Sequence, residues 1–234
     1  MIDIHTHILP KMDDGSTSPA ETAEMLKLLR QQGVEVVAAT PHFYGNRETP
    51  EQFLRRREAS FRQVAHSGED LPQILLGAEI AYFAGVGCCE ELIPMQLGNS
   101  RLLLVEMPFC AWTDRMINEI CAIPEMLGLI PVLAHIDRYR NKKQFPKYCQ
   151  QLKEQGVYFQ CNANMFEGVL DRRWALKQLQ QGYIHFLGSD CHNLTSRAPN
   201  LELAAQAISK KLGDDTLAQL NKQARALLFP DSKL

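Results

Sequence analysis

Five of the seven histidines in this 234-residue chain, His5, His7, His42, His135 and His192, fall where a short apolar run ends. Asp14, Glu79, Glu106 and Asp190 fall in the same kind of place. Imidazoles and carboxylates gathered in this way form a donor set for borderline divalent ions such as manganese, iron and zinc, rather than a soft-metal thiolate site. His5 and His7 are two residues apart, as are Asp190 and His192, and side chains at i and i+2 of an extended strand share one side. Each piece alone has an ordinary explanation. An H-x-H is often a solvated turn, a strand-end Glu is often a salt-bridge partner, and an Asp-His pair in a loop usually means nothing. Nine such groups on one edge exceed what packing would call for, so a metal centre is the reading. Asp13 suits a turn or supporting role better than a ligand role, and His66 and His185 keep structural readings.

The elements that must carry these residues are short β-branched runs alternating with amphipathic stretches. Strands are predicted at residues 1–5, 34–40, 73–79, 102–106, 130–135, 157–161 and 185–189. They are apolar on both faces, as buried parallel strands are. Helices are predicted at 18–32, 50–66, 113–127, 142–155, 171–181, 200–212 and 214–228. Ser18-Pro19 with Glu21 forms a helix start, and Gly33, Gly128, Gly156 and Gly182 stand at helix stops. Seven strand-helix units without a linker or repeat point to an α/β barrel forming one domain over residues 1–234. The strand ends of such a barrel converge on one face. A doubly wound open sheet ranks second, because the first turn has no G-x-G-x-x-G.

Composition narrows the class. Hydrophobic residues are 45% and charged residues 22%, with a formal charge of -2, so the chain reads as globular, with no basic field for nucleic acid or acidic membrane. No apolar run approaches a spanning helix, so no membrane insertion is expected. The start MIDIHTHILP is not a signal peptide, and a cytoplasmic location is expected. The seven cysteines contain no C-x2-C pair and are expected to be reduced and mainly buried.

The opening DIHTHILPKMDDGS resembles the H-x-H-x-L-P-x-x-D-D-G start of the bacterial metal-dependent protein tyrosine phosphatases of the polymerase-and-histidinol-phosphatase (PHP) superfamily. The similarity continues through ATPHF at 39–43, GAEI at 77–80, LLVEMPF at 103–109, AHIDRY at 134–139 and LGSDCHN at 187–193, and ends at Arg197. It thus covers essentially the whole chain in order. The resemblance implies a distorted (β/α)7 TIM-like barrel (the PHP fold) holding three divalent ions, usually considered Mn2+, with Fe or Zn as alternatives. It implies His5, His7, Glu79 and Asp190 around the first ion. Glu79 would bridge to a second ion held by Glu106 and His135, and Asp14, His42 and His192 would hold the third. It also implies Arg138 and Arg197 as phosphate-binding catalytic residues. The implied substrate is a phosphotyrosine protein, a tyrosine kinase of capsule or exopolysaccharide export, with oligomers allowed. Two departures touch no implied ligand: Phe43 stands where the family often has a second His, and Ile136-Asp137 where it often has Pro-Glu.

Three divalent ions against four ligand carboxylates would leave a positive site, and two arginines would add planar forks for phosphate oxygens. A phosphomonoester attacked in line by a metal-bound hydroxide is the expected reaction. Three alternatives compete. A small-molecule phosphatase, for example for histidinol phosphate, would use the same site. A PHP-type nuclease would need a basic track, and Arg55-Arg56-Arg57 reads more simply as a solvated helix face. Cys191 to Arg197 also satisfies the Cys-x5-Arg pattern of thiolate phosphatases, but no glycine lies between 192 and 196 to help a phosphate cradle form.

Overall fold

Strands and helices alternate along the computed structural model, which describes residues 1–64 and 70–230. In chain order they are β1 (Ile2–Thr6), α1 (Pro19–Gln31), β2 (Val36–Ala39), β3 (His42–Phe43), α2 (Pro50–Phe61), β4 (Gln73–Leu76), β5 (Glu79–Ala81), β6 (Leu102–Glu106) and α3 (Asp114–Leu127). Then follow β7 (Ile130–Leu133), α4 (Phe145–Glu154), β8 (Tyr158–Asn162), α5 (Val169–Gln180), β9 (Phe186–Gly188), α6 (Leu201–Leu212) and α7 (Asp214–Leu228). Short 3-10 segments at Ile136–Tyr139 and Ala163–Phe166 follow β7 and β8.

All strand pairings among the described residues are parallel. β1, β2 and β4 lie side by side, and β3, β5, β6, β7, β8 and β9 follow in that order. Backbone bonds carry the ladder from the first set to the second, Gly77 N to Ala39 O at 2.9 Å and Glu79 N to Pro41 O at 3.1 Å. Beyond β9, Asp190 N donates to His5 O (2.8 Å) and His7 N donates to Cys191 O (2.9 Å). The last strand therefore lies against the first. The architecture is an α/β fold around a curled parallel sheet.

Several boundaries differ from those the periodicity predicts. The strand expected at 34–40 is shortened to β2, and an unpredicted strand, β3, follows it beyond Pro41, which has no N–H to give a ladder. The strand expected at 73–79 is split into β4 and β5, so Glu79 opens a strand rather than ending one. The helix expected at 50–66 ends as α2 at Phe61, and His66 lies outside the described residues. The helix expected at 142–155 starts only at Phe145, with a proline in its first turn. Ser18 caps α1 as expected, its side chain accepting from Glu21 N.

The double-sided apolarity of the strands has a direct cause. Ile2, Ile4, Val36, Ala38, Leu102, Leu104, Val132, Ala134 and Phe186 form one buried cluster, joined by Ala224 and Leu228 of α7. Asn221 of α7 also accepts the Ile2 N–H at 3.1 Å, which puts that helix at the N-terminal end of the sheet. Alternate residues, Val37, Ala39, Leu103, Val105, Leu133 and Phe159, belong to a second cluster with Met25, Leu26 and Leu29 of α1 and Ile117, Ile120 and Ile123 of α3. These strands thus bury both faces, one inside the curl and one under helices, whereas β4 is only half-buried. The interior cluster is the floor on which the C-terminal strand ends stand.

The curl is tightest where β9 passes β1 and β8. A Cβ on Gly188 would lie 2.7 Å from both His5 Cβ and Gln160 Nε2. Gly188→Ala is expected to lower stability by about 1–3 kcal/mol, the usual cost of overpacking. Urea unfolding should show a lower midpoint at unchanged slope, and an unchanged midpoint would refute the close approach.

Candidate metal centre

Eight of the nine donor residues lie within reach of a single carboxylate or of its neighbours at the C-terminal ends of the strands. Glu79 is buried, and its Oε2 lies 3.2 Å from His5 Nε2, 3.3 Å from His7 Nε2 and 2.9 Å from His42 Nδ1. Its Oε1 lies 2.8 Å from His135 Nε2, which is also 3.2 Å from Glu106 Oε1. Asp190 Oδ1 is 3.7 Å from His5 Nε2 and 3.5 Å from His7 Nε2. At the mouth, Asp14 is 66% exposed, and its Oδ1 is 3.5 Å from both His42 Nε2 and His192 Nε2. Three overlapping groups have donor atoms within 4.8 Å of one another: His5, His7 and Asp190; His42, Glu79 and Glu106; and His7, Asp14, His42 and His192. All nine sequence-predicted residues are brought together. The second group contains His42, whereas the resemblance implied His135 beside Glu79 and Glu106.

The convergence of His5 and His7 does not arise from simple i, i+2 alternation. β1 pairs with β2 as Asp3↔Val37 and then Thr6↔Ala39, so one residue is extra in that stretch. This bulge lets Ile4 enter the apolar floor while His5 joins the donors, their Nε2 atoms 3.2 Å apart for His5 and His7. Two other donors sit on strained backbone: His135 has φ 32° and Asp190 φ 53°, in the left-handed region that ordinary residues avoid. Hydrogen bonds from their own amides hold them there, His135 N to Gln160 Oε1 at 2.6 Å and Asp190 N to His5 O at 2.8 Å.

Supporting groups orient the donors. Asp13 Oδ2 lies 2.7 Å from His7 Nδ1 and accepts from His42 N at 2.8 Å, while Oδ1 accepts from Gly15 N. It therefore holds the Nδ1 proton of His7 and turns Nε2 toward the centre. Gln160 Oε1 is 3.1 Å from His5 Nδ1, Gln160 Nε2 donates to Asn162 Oδ1, and Asn162 Nδ2 donates to Asp190 Oδ2. Sequence reasoning placed Asp13 in this role but missed Gln160 and Asn162. Their signal was two amides, two residues apart, interrupting an otherwise apolar strand.

The field of the carboxylates is strong enough to overcome desolvation. Burial pulls the His7 imidazolium down, but Asp13 and Glu79 outweigh it and raise its pKa to about 10. His135 is raised in the same way, against burial, to about 9 by Glu106 and Glu79. Burial alone would push Glu79 up, yet His5, His135 and His42 hold it well below the ordinary value. His192 is pushed down to about 4 by burial, His7 and Arg197, so the ring is uncharged at neutral pH, and with Nδ1 donating to Asp190 O at 3.0 Å the Nε2 lone pair is free. His192 Nε2 is buried with no hydrogen-bond partner. A buried imidazole nitrogen left without a partner, beside carboxylates ringed by further imidazoles, fits divalent cations.

Arg138 and Arg197 stand at the edge of this cluster. Arg197 reaches Asp190 Oδ1 at 2.7 Å and Arg138 bonds Asp190 Oδ2, so one carboxylate anchors both guanidinium groups. They are 32% and 37% exposed, which leaves further N–H donors facing the mouth.

Cys191 is fully buried, and burial pushes its thiol far up, away from the thiolate form. Four of the loop amides are already used: His192 N and Asn193 N donate to Arg197 O, and Thr195 N and Arg197 N donate to Asn193 Oδ1. No phosphate cradle remains among them, so the Cys-x5-Arg reading fails. The arginine run on α2 also corrects an expectation. Arg55 and Arg56 pair with Glu51 and Glu48, but Arg57 is buried and donates to Gly77 O and Pro94 O, so it is structural rather than solvated. His185 is structural too, its Nδ1 accepting from Phe159 N. The cysteines are all free, but Cys149, Cys161 and Cys191 alone are buried while Cys88 and Cys110 are exposed, so they are not mainly buried.

Comparison with known proteins gives the same picture. The family described as capsular polysaccharide synthesis, CpsB/CapC, matches residues 1–228. The tyrosine-protein phosphatase YwqE of Bacillus subtilis is 30% identical over 235 residues, covering 97% of this chain and 91% of that protein. The tyrosine-protein phosphatase CpsB of Streptococcus pneumoniae is 35% identical over 227 residues, covering 91% of each. A solved structure from work on YwqE and CpsB, described as unique metal-dependent tyrosine phosphatases, superposes with a TM-score of 0.85. It has 26% identity and covers 100% of this chain and 96% of that one.

Two outcomes follow for ion binding. Asp13→Asn should fold but bind Mn2+ about 10- to 100-fold more weakly, the usual cost of losing a partner that orients a ligating His. In the wild-type chain, protons on His135 and His7 must leave when an ion binds, so affinity should rise with pH toward the values of about 9 and 10 where those protons dissociate. Calorimetric Mn2+ titrations across pH check both, and a pH-independent affinity would contradict the second.

Proposed function

The chain belongs to the CpsB/CapC capsular polysaccharide synthesis family, and on that premise we propose that it is a metal-dependent tyrosine phosphatase that hydrolyses phosphotyrosine in a protein substrate. The observation that carries this reading is the pair of guanidinium groups anchored on one donor carboxylate, Asp190, at the mouth of the donor cluster. It is a site for a dianionic group placed directly against a site for cations. Three ions, most simply Mn2+, would be held by His5, His7, Glu79 and Asp190; by Glu79, Glu106 and His135; and by Asp14, His42 and His192. When bound, such ions supply Lewis acidity and lower the pKa of a coordinated water toward roughly 7.

The chain's own residues do the rest. Arg138 and Arg197 receive phosphate oxygens as planar forks and stabilise charge on the transferring group. Asp13 and Gln160 keep the Nε2 atoms of His7 and His5 aimed inward. Glu79, well below the ordinary carboxyl pKa, stays ionised and ties the donor groups together. We read the curled sheet as a distorted (β/α)7 barrel of the PHP type, with residues 1–234 as one domain. No helix among the described residues is long and apolar enough to cross a membrane, which suits a cytoplasmic enzyme acting on a tyrosine kinase of polysaccharide export.

Chelation should abolish turnover of a phosphotyrosine peptide, and Mn2+ should restore it. Arg138→Ala and Arg197→Ala should keep the ions while losing about 2–4 kcal/mol of transition-state stabilisation, roughly 30- to 1000-fold in rate. Cys191→Ser should retain most activity. A chelator-resistant enzyme, or near wild-type rates in both arginine variants, would overturn the assignment.

A further inference from the structure

The two segments that follow Glu106 and His135 build a second concavity beside the metal centre. Tyr139 links the two: its ring is 6.0 Å from His135, 4.8 Å from Trp112 and 5.7 Å from Phe109, centroid to centroid. Its hydroxyl donates to Met107 O, and Lys142 Nζ donates to Phe109 O, which ties the loop after β6 to the segment that carries Arg138. Next to this junction lies a cavity of about 340 Å3, walled by Trp112, Phe145 and Tyr148 and edged by Ala111, Lys142 and Lys143. That volume is at the small end of ligand pockets, roughly 300–1,000 Å3, and suits one large side chain better than a cofactor.

We propose that this cavity is a recognition subsite for the polypeptide around the phosphotyrosine, taking a large apolar side chain next to it while Lys142 and Lys143 receive a neighbouring carboxylate. The inference rests on the phosphatase reading above. The walls are aromatic carbon, which favours an apolar guest. Lys143 is exposed and makes no ion pair among the described residues, so the mouth offers positive charge to an acidic one. The acidic residue nearest by, Asp114, is taken by Tyr148 Oη at 3.0 Å and Lys147 at 3.7 Å. Covalent continuity keeps the cavity near the chemistry: Phe109 is three residues after Glu106, and Lys142 four after Arg138. The rim is apolar beyond the cavity as well. Phe109 is 59% exposed, Leu170 80% and Leu194 38%, on segments that follow β6, β8 and β9, a face that meets a protein better than a soluble metabolite.

The test uses the full Mn2+-loaded chain with free phosphotyrosine and two phosphotyrosine peptides, one flanked by Leu and Glu, the other by Gly and Lys. The wild type should prefer the first peptide by about tenfold or more in kcat/KM, through KM. Ala111→Trp, which fills the cavity, and Lys143→Glu, which reverses its charge, should erase that preference and leave free phosphotyrosine turnover unchanged. No preference in the wild type, or equal losses on all three substrates, overturns the proposal. So does an Ala111→Trp chain that changes oligomeric state in light scattering but keeps its peptide preference, since a second copy would then be the occupant. If the wild type hydrolyses none of the substrates, the phosphatase reading fails instead. The subsite is then decided by fluorescence anisotropy with labelled phosphonate analogues of both peptides. Tighter binding of the Leu-Glu analogue, lost in Ala111→Trp, sustains it, and equal binding overturns it.

Discussion

One buried carboxylate organises this molecule. Glu79 stands among four imidazoles, those of His5, His7, His42 and His135, and contacts with three of them hold it ionised where burial alone would protonate it. An ionised carboxylate in the interior costs several kcal/mol unless partners surround it. The strand ends therefore have to deliver partners from every side, and the architecture is arranged around that need. Asp190, nearly as buried, is matched from the other side by His5, His7 and both arginines.

Meeting the demand distorts the fold locally. A parallel sheet with regular register would send alternate residues inward and outward, and could not place Ile4 in the floor and His5 in the site together. The bulge in β1 resolves that conflict. The split of the second and third staves puts His42 and Glu79 opposite each other as paired residues of β3 and β5. His135 and Asp190 adopt left-handed backbone that costs of order 1–3 kcal/mol each. The amide network of Gln160 and Asn162 holds those conformations in place. Strain and support occur together because unsupported donors would relax toward ordinary backbone and leave the carboxylates unpaired.

Depth grades the chemistry. The innermost donors are shut off from water, whereas Asp14 and the two guanidinium groups face the mouth. On the proposed reading, cations would sit at the bottom and an anion at the rim, with the substrate chain crossing the surface above. The aromatic junction around Tyr139 is covalently bound to this grading, since the segments that supply Glu106 and Arg138 continue directly into it. If both proposals hold, recognition of the polypeptide and binding of the phosphate share one piece of backbone.

The order of apolar runs determined the alternation of strands and helices, because most strands had to be buried on both faces. Residue type determined the nine donors, since imidazoles and carboxylates at successive strand ends have no packing use in such number. The motifs carried the resemblance on which the two arginines rest. Tertiary structure decided what local pattern does not encode. Pro41 breaking a strand was readable in principle, but the bulge at His5 depends on pairing with β2, and the left-handed turns at His135 and Asp190 depend on amide partners about 25 and 185 residues away. Arg57 reads as one of three solvated cations until α2 is set against the break after β4, where its guanidinium reaches the buried Gly77 carbonyl and, beyond it, Pro94 O. Cys191 matched a reactive pattern, and burial made it an inert thiol. In each case the outcome hung on which groups meet across the curl, and a linear pattern records spacing along the chain, not the burial and charge that distant segments impose on one another.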